Sequence, residues 1–426
     1  MSGANAPRPA KTNAPGPAKT NEPGPAKRLD LFLTEACNLA CPYCFAASGE
    51  GGQMPPERAR QAVDWLVTGP AERLHITFWG GEPLLRKALL RELLERAKRG
   101  AAALGKRITF SLPTNATLLD EPTARWLADE GVHIFLSIDG DALAQTERPL
   151  RGGGSSHAAA IAGLRAVRAA QGRAPAVRMT LAPRNAGRAA ESVAFFAAEG
   201  VHEVLAYPAF DQRWSEEQLA DFARGQRQLA RWLIDALQGS ADPRREVPRL
   251  RAWTPILARL VRGRRRRREG TLRHCGAGGE LVAIRVDGRL APCHRFVFYD
   301  DPAAPQYDGG SLDRPAPSPE VERLARLPIE ALTGETRCVD CELFDLCTIG
   351  CVAIGVAAAG DPARIPPVAC KLQRAQVGAC REVVAELGDD ARLALYLGRS
   401  IHDMLGETAA RIGASAFRRY AAIRGE

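Results

Sequence analysis

From Leu29 onward the chain alternates short apolar runs with longer amphipathic stretches. RLDLFL precedes PERARQAVDWLV, LHITFW precedes LLRKALLRELLERAKR, and RITFSLP precedes PTARWLADE. VHIFLSID leads to SHAAAIAGLRAVRAA, AVRMTLA to AAESVAFFAAEG, and VHEVLAYPAF to EEQLADFARGQRQLARWLIDAL. Within each pair the first member reads as a strand and the second as a helix with one face on a core. Six such units predict an α/β fold with a parallel sheet over residues 29–240, doubly wound or closing toward a barrel. Function then belongs beyond the C-terminal ends of the strands, in the loops that lead to the helices.

Outside this stretch the pattern breaks. Residues 1–28 hold an eight-residue repeat, AKTNAPGP then AKTNEPGP, too rich in Pro and Gly for a packed core, and read as a disordered tail. Residues 241–270 read as a linker that contains Arg262 and Arg264 to Arg268. Residues 271–380 are Cys-rich, with turns such as VDGR (Val286 to Arg289), and read as a small domain organised by ligation. Residues 381–426 read as one or two helices.

Composition narrows the function classes. No apolar run reaches 18 residues and the N-terminus lacks an apolar secretory core, so the expected location is the cytoplasm, without membrane contact. In a reducing cytosol, eleven cysteines point to metal or redox chemistry rather than to disulfides. The net charge of +9 is localised: the six arginines from Arg262 to Arg268 supply +6, residues 1–28 supply +4, and the rest of the chain is near neutral. A nucleic-acid binder would spread basic charge over a folded face, so no nucleic-acid partner is expected. The Arg run suits either a solvated loop or a docking strip for an acidic leader peptide.

Three cysteines, Cys37, Cys41 and Cys44, follow the first strand with C-x3-C-x2-C spacing. Zinc sites usually pair two Cys-x2-Cys units or add histidines, and a bacterial ferredoxin loop has C-x2-C-x2-C with a fourth Cys. Neither fits. Three thiolates can hold three irons of a [4Fe-4S] cube and leave the fourth open, as a catalytic metal site requires.

In this the chain resembles the radical S-adenosylmethionine (SAM) enzymes, whose C-x3-C-x-aromatic-C signature is matched by Cys37, Cys41, Tyr43 and Cys44. The resemblance implies a partial (β/α)6 TIM-like barrel in which the open iron chelates SAM. FWGGEP, at the end of the second strand, is similar to the family's GGE motif. Gly80 and Gly81 would let backbone approach the ligand, and Glu82 would accept from the SAM ammonium. TNATLL offers Asn115, SIDG offers Ser137 and Asp139 for ribose hydroxyls, and Arg148 of ERP suits the SAM carboxylate.

The later cysteines resemble the SPASM domain of radical SAM peptide and protein maturases. Cys275, Gly288 and Cys293 are followed by Cys338-x2-Cys341-x5-Cys347-x3-Cys351 and Cys370. The resemblance implies two auxiliary [4Fe-4S] clusters, a distal one on Cys338, Cys341, Cys347 and Cys370, and one nearer the barrel on Cys275, Cys293 and Cys351. The fourth ligand of the latter is open to a substrate thiolate, Cys380, water or another side chain, although Cys380 in VGACREVV reads as a buried helix cysteine. Zinc remains an alternative for residues 338–351, where Cys-x2-Cys is also zinc spacing.

The function implied is reductive cleavage of SAM and hydrogen abstraction from a ribosomally made peptide or protein. The product would be an oxidative modification such as a thioether or carbon-carbon cross-link. An electron donor such as flavodoxin or ferredoxin is implied, and a separate leader-recognition protein is a further partner. One alternative is a formylglycine-forming enzyme of the anaerobic sulfatase-maturing type; that branch has Asp after the cysteine matched by Cys293, whereas this chain has His294. The alternative of another class is a non-catalytic zinc-ribbon adaptor.

Overall fold

A computed structural model of the chain describes residues 26–46, 51–172, 175–263, 275–299 and 306–405. Its spine is a sheet of nine strands among the described residues. These are β1 (Ala26–Phe32), β2 (Arg73–Trp79), β3 (Arg107–Thr114), β4 (Val132–Ser137), β5 (Ala176–Leu181), β6 (Glu203–Pro208), β7 (Arg249–Leu250), β8 (Leu281–Ile284) and β9 (Leu290–Ala291). The order is β7-β6-β5-β4-β3-β2-β1-β8-β9, with every pairing parallel except β8 with β9. The sheet does not close on itself, so the fold is the expected α/β partial barrel.

Each of the first six strands runs into a helix. These are α1 (Pro56–Thr68), α2 (Lys87–Ala103), α3 (Glu121–Asp129), α4 (His157–Gln171), α5 (Ala189–Ala198) and α6 (Glu216–Gly239). Local chemistry fixes their ends. The Asp120 side chain accepts from Thr123 N at the start of α3, and Ser215 and Gln218 form a reciprocal capping box at the start of α6. Helix α4 stops at Gly172 with φ +69°, a left-handed cap that glycine adopts without penalty.

Strand alternation sorts the two faces of the sheet. Leu29, Leu31, Ile76, Phe78, Leu112, Ile134, Leu136, Val177 and Met179 are buried in the core shared with the helices. The intervening positions, Asp30, Thr77, Ser111, His133, Ser137, Arg178 and Thr180, place polar groups on the other face. A closed barrel would fill that interior with branched apolar side chains. This half-barrel keeps it polar.

Two segments differ from expectation. Residues 241–263, read as linker, form α7 (Pro243–Glu246), β7 and α8 (Thr254–Arg262), and Leu250, Trp253, Ile256 and Leu257 are buried in the main core. The dense arginines beside them obscure this short apolar run; Arg264 to Arg268 and residues 1–25 of the tail lie outside the described residues. The Cys-rich region, expected to stand apart, begins by extending the sheet: LVAI pairs as β8 with β1, Leu29 opposite Val282. Four apolar residues are too few to announce a strand by periodicity.

The remainder adds α9 (Phe296–Tyr299), α10 (Pro319–Arg326), α11 (Val352–Ala359), α12 (Pro367–Leu387) and α13 (Ala391–Leu405). Helix α12 starts before the expected boundary at residue 381. It lays Leu372, Val377, Cys380, Val383 and Leu387 into the core, against α6 and α8. Among the described residues no helix is long and apolar enough to cross a membrane.

Candidate active site

The loop after β1 carries Cys37, Cys41 and Cys44 over the C-terminal ends of the strands. Its backbone is clamped to the next strand end: Gly81 N donates to Thr34 O at 2.9 Å, and Glu82 N to Ala36 O at 2.9 Å. A Cβ on Gly81 would lie 2.4 Å from Ala36 O, and one on Gly80 would lie 2.7 Å from Thr34 O. The approach that these glycines permit is therefore to the cysteine loop itself, although both also line the pocket.

Glu82 is fully buried and straps β2 to β3. Its carboxylate accepts from Leu84 N (3.0 Å), Thr114 Oγ1 (2.9 Å) and Asn115 N (2.8 Å). Burial pushes its pKa up to about 7 against the pull of these donors. Asn115 continues the strap, donating from Nδ2 to Asn38 Oδ1 at 2.8 Å and approaching Cys37 Sγ at 3.8 Å. Thr114, Asn38 and Thr117, which bonds both Asn residues, complete this network without any signature in the sequence.

One pocket gathers Cys37, Cys41, Tyr43, Cys44, Gly80, Gly81, Glu82, Asn115, Ser137 and Arg148. Asp139 is the exception. It is fully buried, does not line the pocket, and accepts from Thr180 N (2.9 Å) and from the Tyr43 hydroxyl. It also pairs with Arg148, Nε to Oδ1 3.0 Å. It braces Tyr43 and Arg148, whose guanidinium lies 5.4 Å from the Tyr43 ring centre. A carboxylate satisfied from three sides inside the protein has little left for a ligand.

Other residues that line the pocket escaped the sequence reading. Arg178 and Thr180 of β5, Tyr207 of β6, Asp211, Phe45, Trp79 and Arg295 all line it. Arg295 pairs with Asp211 at 2.9 Å and lies 4.9 Å from the Phe45 ring centre. The one available signal was an arginine inside the apolar strand AVRMTL. His294, beside Arg295, stacks on Trp79 at 4.4 Å and hydrogen-bonds through Nδ1 to Asp30 Oδ2 at 2.9 Å.

The thiols interact in three groups. Burial pushes Cys41 up to about 12, with Arg148 opposing and Cys44, Asp139 and Cys37 adding to the rise. Burial likewise raises Cys293, and nearby Cys351 and Cys275 add to it. The turn that delivers Cys293 depends on Gly288, φ +87°, between β8 and β9; Cys351 sits at the N-cap of α11. Cys338, Cys341, Cys347 and Cys370 share one separate cavity with Leu332, Leu343, Phe344, Ile349 and Ile365. Burial, with Cys347, Cys370 and Cys341 adding, pushes Cys338 up to about 11. Among the described residues no three His, Cys, Asp or Glu side chains meet at a point that would hold one metal ion. The Cys41 and Cys338 groups line cavities instead. Cys380 stands outside all three groups, fully buried on α12.

Residues 31–195, which span the cysteine loop and the first five strand ends, match the model of the Radical SAM superfamily. The chain carries a radical SAM domain. The serine-type anaerobic sulfatase-maturating enzyme of Klebsiella aerogenes is 35% identical over 135 residues, 30% of this chain and 33% of that one. The chain thus spans about a third of the length of that curated relative. The whole fold is similar to that of anSMEcpe with bound AdoMet, at TM-score 0.69 and 17% identity over 88% of this chain and 98% of that one. Streptococcus suis SuiB bound to its precursor peptide SuiA aligns at TM-score 0.54 and 17% identity, over 81% and 76%. The cysteine loop lies within the matched residues, and a match to that superfamily implies a [4Fe-4S] cluster and SAM.

Proposed function

We propose that the chain is a radical SAM maturase that cleaves SAM reductively and abstracts hydrogen from a ribosomally made peptide or protein. The outcome is an oxidative modification such as a thioether or carbon-carbon cross-link. The observation that carries this reading is the sharing of one pocket by three loop thiols, the Gly80–Glu82 turn, Asn115, Ser137 and Arg148, at the C-terminal ends of parallel strands.

In this reading Cys37, Cys41 and Cys44 hold the cluster that binds SAM, and Tyr43, Gly80, Gly81, Glu82, Asn115, Ser137 and Arg148 surround SAM. Asp139 positions Tyr43 and Arg148 from behind. Cys338, Cys341, Cys347 and Cys370 hold a distal auxiliary cluster, and Cys275, Cys293 and Cys351 hold a nearer one, in a SPASM-type region. The residues fit these groups. A cube gives each thiolate its own iron, which suits thiols spread around a cavity, whereas zinc needs its ligands at about 2.0–2.3 Å from one centre. A Cβ on Gly334 would lie 2.7 Å from Cys370 Sγ, so glycine keeps that cavity open.

When bound, the reduced cluster and SAM supply the electron and the hydrogen-abstracting 5′-deoxyadenosyl radical. The protein's own part is positional. Arg148 offers guanidinium donors to a carboxylate while Asp139 fixes its direction. Phe45, Trp79 and Tyr207 line the space next to the thiols with aromatic surface, which keeps water away from reactive intermediates.

Support for a peptide substrate comes from the likeness to SuiB, solved with its precursor peptide. The test is anaerobic reconstitution with iron and sulfide, dithionite, SAM and a peptide encoded beside the gene. Deoxyadenosine and a peptide lighter by two hydrogens are expected. Absence of deoxyadenosine would sink the reading. The likeness to the Klebsiella sulfatase-maturating enzyme favours a second reading, formylglycine formation, which an aldehyde trapped by a hydrazide would reveal.

A further inference from the structure

Arg178 rises from the middle of β5, opposite Ser137 of β4 and Leu205 of β6, and lines the same pocket as the cysteine loop. Three arginines face this pocket, and two have their own carboxylates: Arg148 has Asp139 at 3.0 Å, and Arg295 has Asp211 at 2.9 Å. The Arg178 guanidinium makes no hydrogen bond or ion pair among the described residues. Its electrostatic neighbours are two cations, Arg295 and Arg148, and two phenols, Tyr207 and Tyr43. Burial, and then Arg295, push it below the ordinary arginine value.

A lysine so placed would shed its proton, but a guanidinium keeps its charge at any physiological pH. A partly buried charge without a counter-charge is costly, and such groups mark ligand sites. The acids of the pocket wall are already committed, Glu82 to three donors and Asp211 to Arg295 and Tyr299. The missing negative charge therefore belongs to a ligand.

Position separates the ligands. Arg148 is electrostatically coupled to Cys41 and stands beside the cysteine loop, where SAM would bind. Arg178 stands on the wall made by β5 and β6, with the Thr180 and Tyr207 side chains beside it in the lining and Arg295 next to it. That wall leads toward the Cys351 group, which Arg295 also feels electrostatically. We propose that Arg178, flanked by Arg295, seats a carboxylate of the peptide substrate, so that the enzyme selects peptides carrying an acidic group at or beside the residue it modifies. The proposal rests on the radical SAM maturase reading for the location of SAM. A planar fork of donors grips a carboxylate through two bonds and orients it, which would fix the neighbouring C–H bond relative to the thiol-lined end of the pocket.

The test uses the reconstituted holoenzyme with SAM and a pool of nonapeptides that carry Asp, Glu, Asn, Gln, Lys or Arg at one central position. Each is made with a free and an amidated C-terminus, and bound peptides are quantified by mass spectrometry. Wild-type protein is expected to retain acidic over amide peptides by at least about tenfold, the weight of one charge-assisted hydrogen-bonded pair. Preference for central Asp or Glu assigns the seat to a side chain, and preference for the free C-terminus assigns it to the chain end. Arg178→Met should erase the preference, Arg178→Lys should retain part of it, and Arg178→Glu should turn it toward peptides with central Lys or Arg. SAM affinity, measured separately by equilibrium dialysis, should move less than about twofold in Arg178→Met. No preference in the wild type, or the same preference in Arg178→Met and Arg178→Glu, overturns the proposal. A tenfold loss of SAM affinity instead assigns the guanidinium to the SAM carboxylate and also overturns it. Failure to make deoxyadenosine refutes the maturase reading on its own, because the peptide selection is a binding measurement.

Discussion

The pocket under the Cys37 loop and the cavity around Cys338 both gather thiols, yet their walls are chemically opposite. The first is roofed by three cysteines and walled by Glu82, Asn115, Ser137, Arg148, Arg178, Thr180, Asp211 and Arg295, mounted on strands β4 and β5 and on the loops that follow strands. The second has four cysteines on short turns and the first turn of α12, mostly among Ile329, Leu332, Leu343, Phe344, Ile349 and Ile365, with Glu335, Thr336, Gln373 and Arg374 also lining it. Polar walls can orient a ligand and apolar walls can only exclude water. Three thiols with polar company suit an iron that must accept an outside ligand; four thiols with apolar company suit a closed cluster that organises its surroundings.

The contrast breaks most sharply on single thiols. Cys41→Ser should abolish deoxyadenosine formation while leaving thermal stability nearly unchanged, because the sheet beneath the loop has its own core. Cys370→Ser should lower the melting midpoint by about 5 °C, because ligation there substitutes for secondary structure. Both are read by chromatography of deoxyadenosine beside a thermal melt. If Cys370→Ser silenced SAM cleavage without touching stability, the division of roles would be wrong.

A second test bears on how rigidly the first pocket is built. In Gly81→Ala the new methyl meets three backbone atoms of Glu35 and Ala36 at 2.4–2.6 Å, none of which can swing away. The cysteine loop must move, at a cost above about 3 kcal/mol. Urea unfolding measures this, and iron content should fall in parallel.

The gentlest probe is pH. Glu82 has its pKa raised by burial to about 7, above its unfolded value, so the folded state holds the proton longer. Its contribution is fully present below the unfolded carboxylate pKa, declines as pH rises toward about 7, and is lost above that. The decline amounts to roughly 3 kcal/mol for a shift of this size. For the metal-free protein, urea midpoints from pH 4 to 8 should slope downward in the wild type and flatten in Glu82→Gln. Equal slopes would place the proton elsewhere.

Much of this was legible in one dimension because period and spacing are local properties. The six strand-helix units show in the apolar alternation, and the cysteine loop, GGE, Asn115, Ser137 and Arg148 fall in order at successive strand ends. The inward turn of Asp139 was not legible because SIDG has the same sequence whether its carboxylate faces the pocket or turns inward to Thr180 and Tyr43. The 241–263 segment was missed because its apolar run is short and borders the arginines, and β8 because a partner strand far away in sequence defines it, Arg28 opposite Leu281 to Leu31 opposite Ile284.

By itself the sequence determined the architecture of parallel strands and the identity of the thiols, since hydrophobic period and ligand spacing are carried by neighbouring residues. Only the tertiary structure decided that Asp139 turns inward to brace Tyr43 and Arg148. It also decided that Arg178 faces a pocket with no acid of its own, because charge balance depends on which side chains strands far apart in sequence bring face to face.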